Sequence, residues 1–410
     1  MIFLQRAQDT LERMIPGLAE RLNQHPFDAL ESHGNPGIAD FKRCGGPALM
    51  IPINYAGQGA SPLEACQIQI AIGAISPSLA VATMMHHFSA ATLVEMAATQ
   101  NRKTWVVLEM VARENLLMAS GFAEGGAGAN ILRPFTRLIR NGNRFCVSGS
   151  KKPCSLAHSM DLLTLSVLVP DDVTGHERLA VAVLPANAPG LERRPFWNSP
   201  ILAGAESDEV VLNEVPISER SLTFAGRPGE LDAVQTTGFL WFILLCTSTY
   251  LGVAARLTEK VFVQKRGSPS DRTRLAVEIE GANAAMEGLA SRVATRRAAG
   301  GSAVESPVTS ATGGRATNLL ADGTPDSRLL ANALLVRYSI QQAIERTTSL
   351  AIELLGGLNF MSSAQMSYLS SAAHALAFHP PSRTNMSEAI AEYLGGEPFR
   401  FASPPLQRAA

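Results

Sequence analysis

Two short segments carry residues whose types and spacing could do chemistry. From Ser120 to Asn130 the chain reads Ser-Gly-Phe-Ala-Glu-Gly-Gly-Ala-Gly-Ala-Asn, and Gly149-Ser-Lys-Lys-Pro-Cys-Ser155 begins about thirty residues after the first segment does. A glycine run lacks Cβ atoms, so its backbone N–H groups can approach an anionic ring or a phosphate. A hydroxyl such as Ser155 at a strand end can donate to the edge of a planar ligand. Alone, a glycine run is more often a plain turn; the pair points to a ligand cradle. His379, in the run His-Pro-Pro-Ser382, is the ionisable group to test first as a base or acid, because imidazole titrates near neutral pH. The competing reading is a loop histidine fixed before a rigid Pro-Pro turn. His86 and His87 lie in an apolar helical pattern and read as packing residues, and Cys154 reads as a small packing residue rather than a nucleophile.

These residues need a large fold to hold them. At 410 residues, 46% hydrophobic and 17% charged, the chain buries a sizeable core and is expected to form two or three packed units. A formal net charge of -1 argues against nucleic acid or an anionic membrane surface as the main partner. Five cysteines, odd in number and without a Cys-x-x-Cys, predict neither a disulfide framework nor a metal site, which fits a cytoplasmic setting. The opening residues lack the basic and apolar regions of a secretory signal. The uncharged run Gly238 to Ala255 is shorter than a membrane span, carries hydroxyl side chains and passes into Arg256, so it predicts a buried bundle helix.

Periodicity divides the chain in three. Residues 1–118 show helical spacing, for example from Leu79 to Ala98. Residues 119–228 change to strand chemistry: Phe135 to Leu138 and Arg144 to Val147 flank an Asn141-Gly-Asn turn as a hairpin should, and apolar runs at Leu162 to Val169, Leu179 to Leu184 and Glu209 to Leu212 follow. Residues 229–410 return to long amphipathic helices. Within them the Gly-, Ser- and Thr-rich stretch 298–326 is predicted to be a mobile loop, since it buries too little apolar surface to offset its ordering entropy.

This order, with the two opening segments, resembles the acyl-CoA dehydrogenase superfamily along nearly the full length. Pro52-Ile-Asn-Tyr-Ala-Gly-Gln-Gly59 is similar to a family turn, Val210 to Pro216 to the strand that closes its β-domain, and Glu353-Leu-Leu-Gly-Gly357 to its Gln-x-x-Gly-Gly. The resemblance implies an α+β fold: an N-terminal helical domain, a middle β-barrel or sandwich, and a C-terminal four-helix bundle. It implies FAD, held by Phe122, Ala123, Gly128, Ala129, Ser155 and Ser382, with Arg266, Gly356 and Gly357 reaching the flavin of a neighbouring subunit in a homodimer or homotetramer.

The departures from the family bear on chemistry. Where the family carries its catalytic glutamate, this chain has Pro380 beside His379, so a carboxylate and a backbone N–H are lost together. A second family position for that glutamate aligns with Ile243. The resemblance therefore implies a flavin-dependent oxidoreductase that dehydrogenates an atypical small-molecule or carrier-bound acyl substrate by hydride transfer to flavin N5, with an electron-accepting flavoprotein as partner. One alternative follows from Lys151-Lys-Pro-Cys-Ser155 and His379-Pro-Pro381, which are similar to segments of the flavin monooxygenase branch related to dibenzothiophene oxygenases; there the flavin would be FMN, delivered reduced by a flavin reductase. The other alternative is a non-catalytic flavin-binding or structural subunit.

Overall fold

The computed structural model describes residues 1–126, 131–141, 144–170, 176–218, 221–302 and 325–401. The chain begins with helices α1 (Ile2–Met14), α2 (Leu18–Gln24), α3 (Phe27–Glu31), α4 (Pro36–Arg43), α5 (Pro62–Ile75), α6 (Pro77–Thr99) and α7 (Thr104–Glu114). Strands β1 (Met118–Gly121), β2 (Arg137–Asn141), β3 (Arg144–Cys154), β4 (Leu162–Pro170), β5 (Glu177–Pro185), β6 (Leu191–Arg194), β7 (Asp208–Ile217) and β8 (Leu222–Phe224) follow. Helices α8 (Ala233–Val263), α9 (Pro269–Ser302), α10 (Pro325–Ser362), α11 (Ala364–Ala373) and α12 (Arg383–Leu394) complete it. The mixed α+β fold with helices on both sides of a β region is what the sequence predicts. Most of the stretch 298–326 lies outside the described residues, as do the central residues of the Asn141-Gly-Asn turn.

Local chemistry starts the helices that matter. Ser61 caps α5 in a capping box with Glu64, with Pro62 at the first helical position. Ser76 accepts from the Leu79 amide to cap α6, and Asp232 caps α8 in a box with Gln235. Helix α8 is the uncharged run, and it is the core of the molecule: long and apolar enough to cross a membrane, it is instead buried among α5, α6, α9, α10 and α11. Glycine sets the closest of these contacts. A Cβ on Gly73 would lie 2.3 Å from the Thr249 carbonyl oxygen, and one on Gly252 would lie 2.1 Å from that of Ile70, so α5 and α8 touch backbone to backbone.

The strands form one sheet in the order β6-β7-β3-β2-β4-β5-β8, with β1 pairing β4. Strand β4 is buried on both faces apart from its last residue, as its unbroken apolar run requires. Strands β1 and β2 both lie parallel along one side of β4, β1 against Leu162 to Leu165 and β2 against Leu168. The connection between them therefore leaves the sheet there. It carries the glycine-rich run.

Candidate active site

The connection after β1 folds against the end of β3. Lys152 donates its amide to the Ala123 carbonyl at 2.9 Å, and Glu124 bridges Lys152 in parallel register. Gly125 (φ +54°) needs the left-handed region, and a Cβ there would meet the Lys152 carbonyl oxygen at 2.8 Å. A buried ion pair holds the same junction: Lys151 Nζ lies 2.7 Å from Glu124 Oε1, and Glu124 also accepts from the Thr136 amide and hydroxyl. Burial pushes the Lys151 ammonium down to about 8, against the pull of Glu124. Strand β3 shifts register between Lys151 and Cys154, and Ser155 follows directly. Two segments thirty residues apart thus meet at Ala123 and Lys152.

Their meeting forms one wall of an internal chamber. Val81, Met85, Phe88 and Thr92 line it from one face of α6, and Gly238, Phe239 and Phe242 from α8. The sheet contributes Ser120, Phe122, Ser155, Ser166 and Val181. Trp197 and Ser207 close one side, and His379 and Pro380 another. Phe88 joins the walls, edge-on to Phe122 at 5.4 Å and to Phe242 at 5.9 Å between ring centroids. The Ser155 hydroxyl lies 2.9 Å from that of Ser207. Ser120 Oγ is buried with no hydrogen-bond partner among the described residues. Cys154 faces away from solvent entirely, and burial pushes its thiol up to about 12, so it stays protonated and packs.

His379 is positioned from behind. Its Nε2 lies 2.6 Å from the Tyr250 hydroxyl, and Arg337, fully buried, donates to the carbonyl oxygens of Leu376, His379 and Pro380. Tyr338 donates to the Pro381 carbonyl at 2.9 Å. The sequence predicts an imidazole titrating near neutral pH; the structure corrects that. Although one side of the ring opens on the chamber, burial and then the Arg337 charge push its pKa down to about 3. Burial also holds the Tyr250 phenol well above its usual range, so a neutral phenol and a neutral imidazole share this hydrogen bond.

The predicted site residues divide by place. His379, Phe122, Ala123 and Ser155 line the chamber together. Gly128 and Ala129 lie outside the described residues. Ser382 is beside the chamber but its hydroxyl accepts the Asn385 amide and caps α12. Arg266, Gly356 and Gly357 do not line the chamber. They gather elsewhere on the bundle, where Gly267 abuts Leu354 and the Asn359 amide donates to Gln264. Ile243 is buried and points no side chain into the chamber; its neighbour Phe242 does. Sequence reasoning missed Tyr250 and Arg337. A lone tyrosine in an uncharged run and a lone arginine among apolar neighbours on α10 were the only signals.

Among the described residues no Asp or Glu lines the chamber. The walls fit a flavin: facing aromatic and sheet surfaces, a strand-end hydroxyl pair and an unpartnered Ser120 hydroxyl suit a planar ring with a polar edge.

No family model matches the chain. It is 41% identical over 406 residues, covering 97% of this chain and 99% of the other, to an isobutylamine N-hydroxylase of Streptomyces viridifaciens. It is 27% identical over 188 residues, 45% of each chain, to the acyl-CoA dehydrogenase FadE26 of Mycobacterium tuberculosis. Among solved structures, FMN-bound TdsC from Paenibacillus sp. A11-2 shares the fold with a TM-score of 0.73 at 18% identity, over 99% of this chain and 100% of that one.

Proposed function

This chain belongs to the acyl-CoA dehydrogenase superfamily of flavin-dependent oxidoreductases, and we propose that within it the protein is a monooxygenase that N-hydroxylates a small primary amine. The observation that carries the reading is a chamber with no carboxylate among the described residues that line it. Abstraction of an α-proton needs a base at the reacting carbon, worth about 10²- to 10⁴-fold in rate. His379, neutral and tied through Nε2 to the Tyr250 hydroxyl, is not placed for that task. The dehydrogenase reading that led the sequence analysis therefore gives way to its monooxygenase alternative, which the similarity to an amine N-hydroxylase also favours.

When bound, reduced flavin supplies the two electrons with which oxygen is split between product and water: amine, O2 and dihydroflavin give hydroxylamine, water and oxidised flavin. The chain's own residues bind and orient. Ser155, with the backbone at Phe122 and Ala123, holds the flavin ring edge. Phe88, Phe242 and Met85 exclude water from the reacting nitrogen. His379 stands at the chamber wall with its ring tied to Tyr250, and Arg337 clamps the backbone carbonyls of His379 and Pro380. Arg266, Gly356 and Gly357 serve the phosphate end of a flavin held by a second copy of the chain, and Ser382 orients the turn after His379 through its cap. A flavin reductase supplies the reduced cofactor, and the setting is cytoplasmic.

The test is product analysis. Protein, chemically reduced FMN or FAD, a branched alkylamine and isotopically labelled O2 should yield a hydroxylamine carrying one labelled oxygen. Formation of an unsaturated acyl thioester from an acyl-CoA would reject the reading.

A further inference from the structure

We infer that the chamber takes its amine as the uncharged free base and rejects the ammonium form, so that bound substrate arrives with the nitrogen lone pair that oxygenation needs. The inference deepens the proposed function and rests on it.

The walls are formally neutral. Among the described residues that line the chamber there is no Asp, Glu, Lys or Arg. The titratable one, His379, stays uncharged until about pH 3. Charges behind the walls are already committed. On the sheet side Lys151 is paired with Glu124, and its 3.4 Å approach to Ser166 presents a cation, not an anion. At the start of α8 Asp232 accepts from the Gly226 and Gln235 amides at 2.6 and 2.7 Å. Beside Trp197, Asp208 accepts the Phe196 and Trp197 amides and pairs with His158. Beyond Thr237, Arg296 is paired with Asp326, with Glu95 contributing. Behind His379 the nearest charge is the Arg337 guanidinium, which repels a cation.

An ammonium moved into such a chamber finds no counter-ion. A buried unpaired charge is costly enough that the group gives up its proton instead. An alkylammonium ionises near 10.4, as the lysine side chain does, so at neutral pH only about one molecule in a thousand is free base. A site selective for that form binds weakly at neutral pH and about tenfold more tightly for each unit of pH rise. It also excludes amino acids, whose carboxylate stays charged, and disfavours diamines, which must give up two protons. The substrate class is a small alkylamine with no other ionised group.

Isothermal titration calorimetry on the flavin-loaded protein reads this directly. Binding of isobutylamine near neutral pH, run in two buffers of different ionisation enthalpy, should release one proton per amine bound. Isobutanol, the same shape without a basic nitrogen, should release none and bind independently of pH. Amine binding by the wild type without proton release, or tight binding of a quaternary alkylammonium, would overturn the inference while leaving amine oxygenation standing. Failure of both isobutylamine and isobutanol to bind, with no hydroxylamine formed, would sink both.

Discussion

The Tyr250 hydroxyl is hydrogen-bonded to His379 Nε2 across 2.6 Å. The two residues are far apart in sequence, and the bond fixes the orientation of the histidine ring on the chamber wall. Tyr250→Phe removes the hydroxyl and little volume. Losing one neutral hydrogen bond corresponds to about 0.5–1.5 kcal/mol, so kcat should fall roughly 2- to 10-fold with flavin affinity unchanged. His379→Ala, which removes the whole ring from the chamber wall, should lower kcat further. Because His379 is already neutral across the working range, the kcat profile between about pH 5 and 8 should keep the same shape in both variants. Loss of an inflection near 6.5 in His379→Ala would restore the imidazole to a titrating role.

Acid should unfold the protein through its buried histidines. His86 donates to or accepts from both sides, with Nε2 3.0 Å from the Pro47 carbonyl and Nδ1 accepting the Met118 amide at 3.0 Å, so a second ring proton would face an N–H. Burial pushes His86 down to about 4 and His87 to about 3. The unfolded chain takes up these protons below about 6.5 and the folded chain does not, so their contribution is complete above that value and is lost as pH falls towards 4. The slope is about 1.4 kcal/mol per pH unit for each histidine. His87→Phe, at a site already edge-on to Phe41, should lessen the slope in urea unfolding at acid pH.

Glu31 has the opposite sign. Its carboxyl, buried against the Ser76 and Ser78 hydroxyls at 2.6 Å each, is raised to about 7 by burial. The folded state therefore holds a proton that the unfolded state releases near 4.5, and this contribution, present at acid pH, is lost as pH rises through about 7. Glu31→Gln keeps an acceptor without the charge. It should match wild type at acid pH and exceed it by roughly 1–3 kcal/mol above about pH 8, read from thermal or urea unfolding.

The Lys151–Glu124 pair, its ammonium fully enclosed and its carboxylate nearly so, holds the start of the glycine-rich segment to the end of β3. Glu124→Gln leaves a buried ammonium alone and should cost about 3–5 kcal/mol of stability. Replacing both partners by apolar residues should recover most of that loss. Flavin affinity, followed by fluorescence quenching, should fall in the single variant more than in the double one.

Much of this was legible in the sequence because period is a local property. The change from helical to alternating spacing and back gave the order of the parts, and the apolar run 238–255 declared itself as a core helix. Ser155 and His379 could be read because short motifs mark them. What stayed hidden is what distance in sequence hides. Tyr250 is one more residue of an apolar run until α8 brings it against the 374–380 segment, and Arg337 is one charge in an otherwise apolar stretch of α10 until its carbonyl partners appear. Arg266 and Gly356–Gly357 could be paired by motif, but only three-dimensional placement puts them away from the chamber of their own chain. The ordinary titration expected for His379 failed because burial cannot be read from a His-Pro-Pro run.

The central claim is that this flavoenzyme passes oxygen to a substrate rather than taking hydride from it. Its most direct test is anaerobic mixing of the oxidised, flavin-loaded protein with isobutylamine and, separately, with an acyl-CoA, following the flavin absorbance. The account predicts that the yellow colour persists in both, and that hydroxylamine appears only when reduced flavin and oxygen are supplied. Bleaching of the flavin by either compound in the absence of oxygen would contradict it.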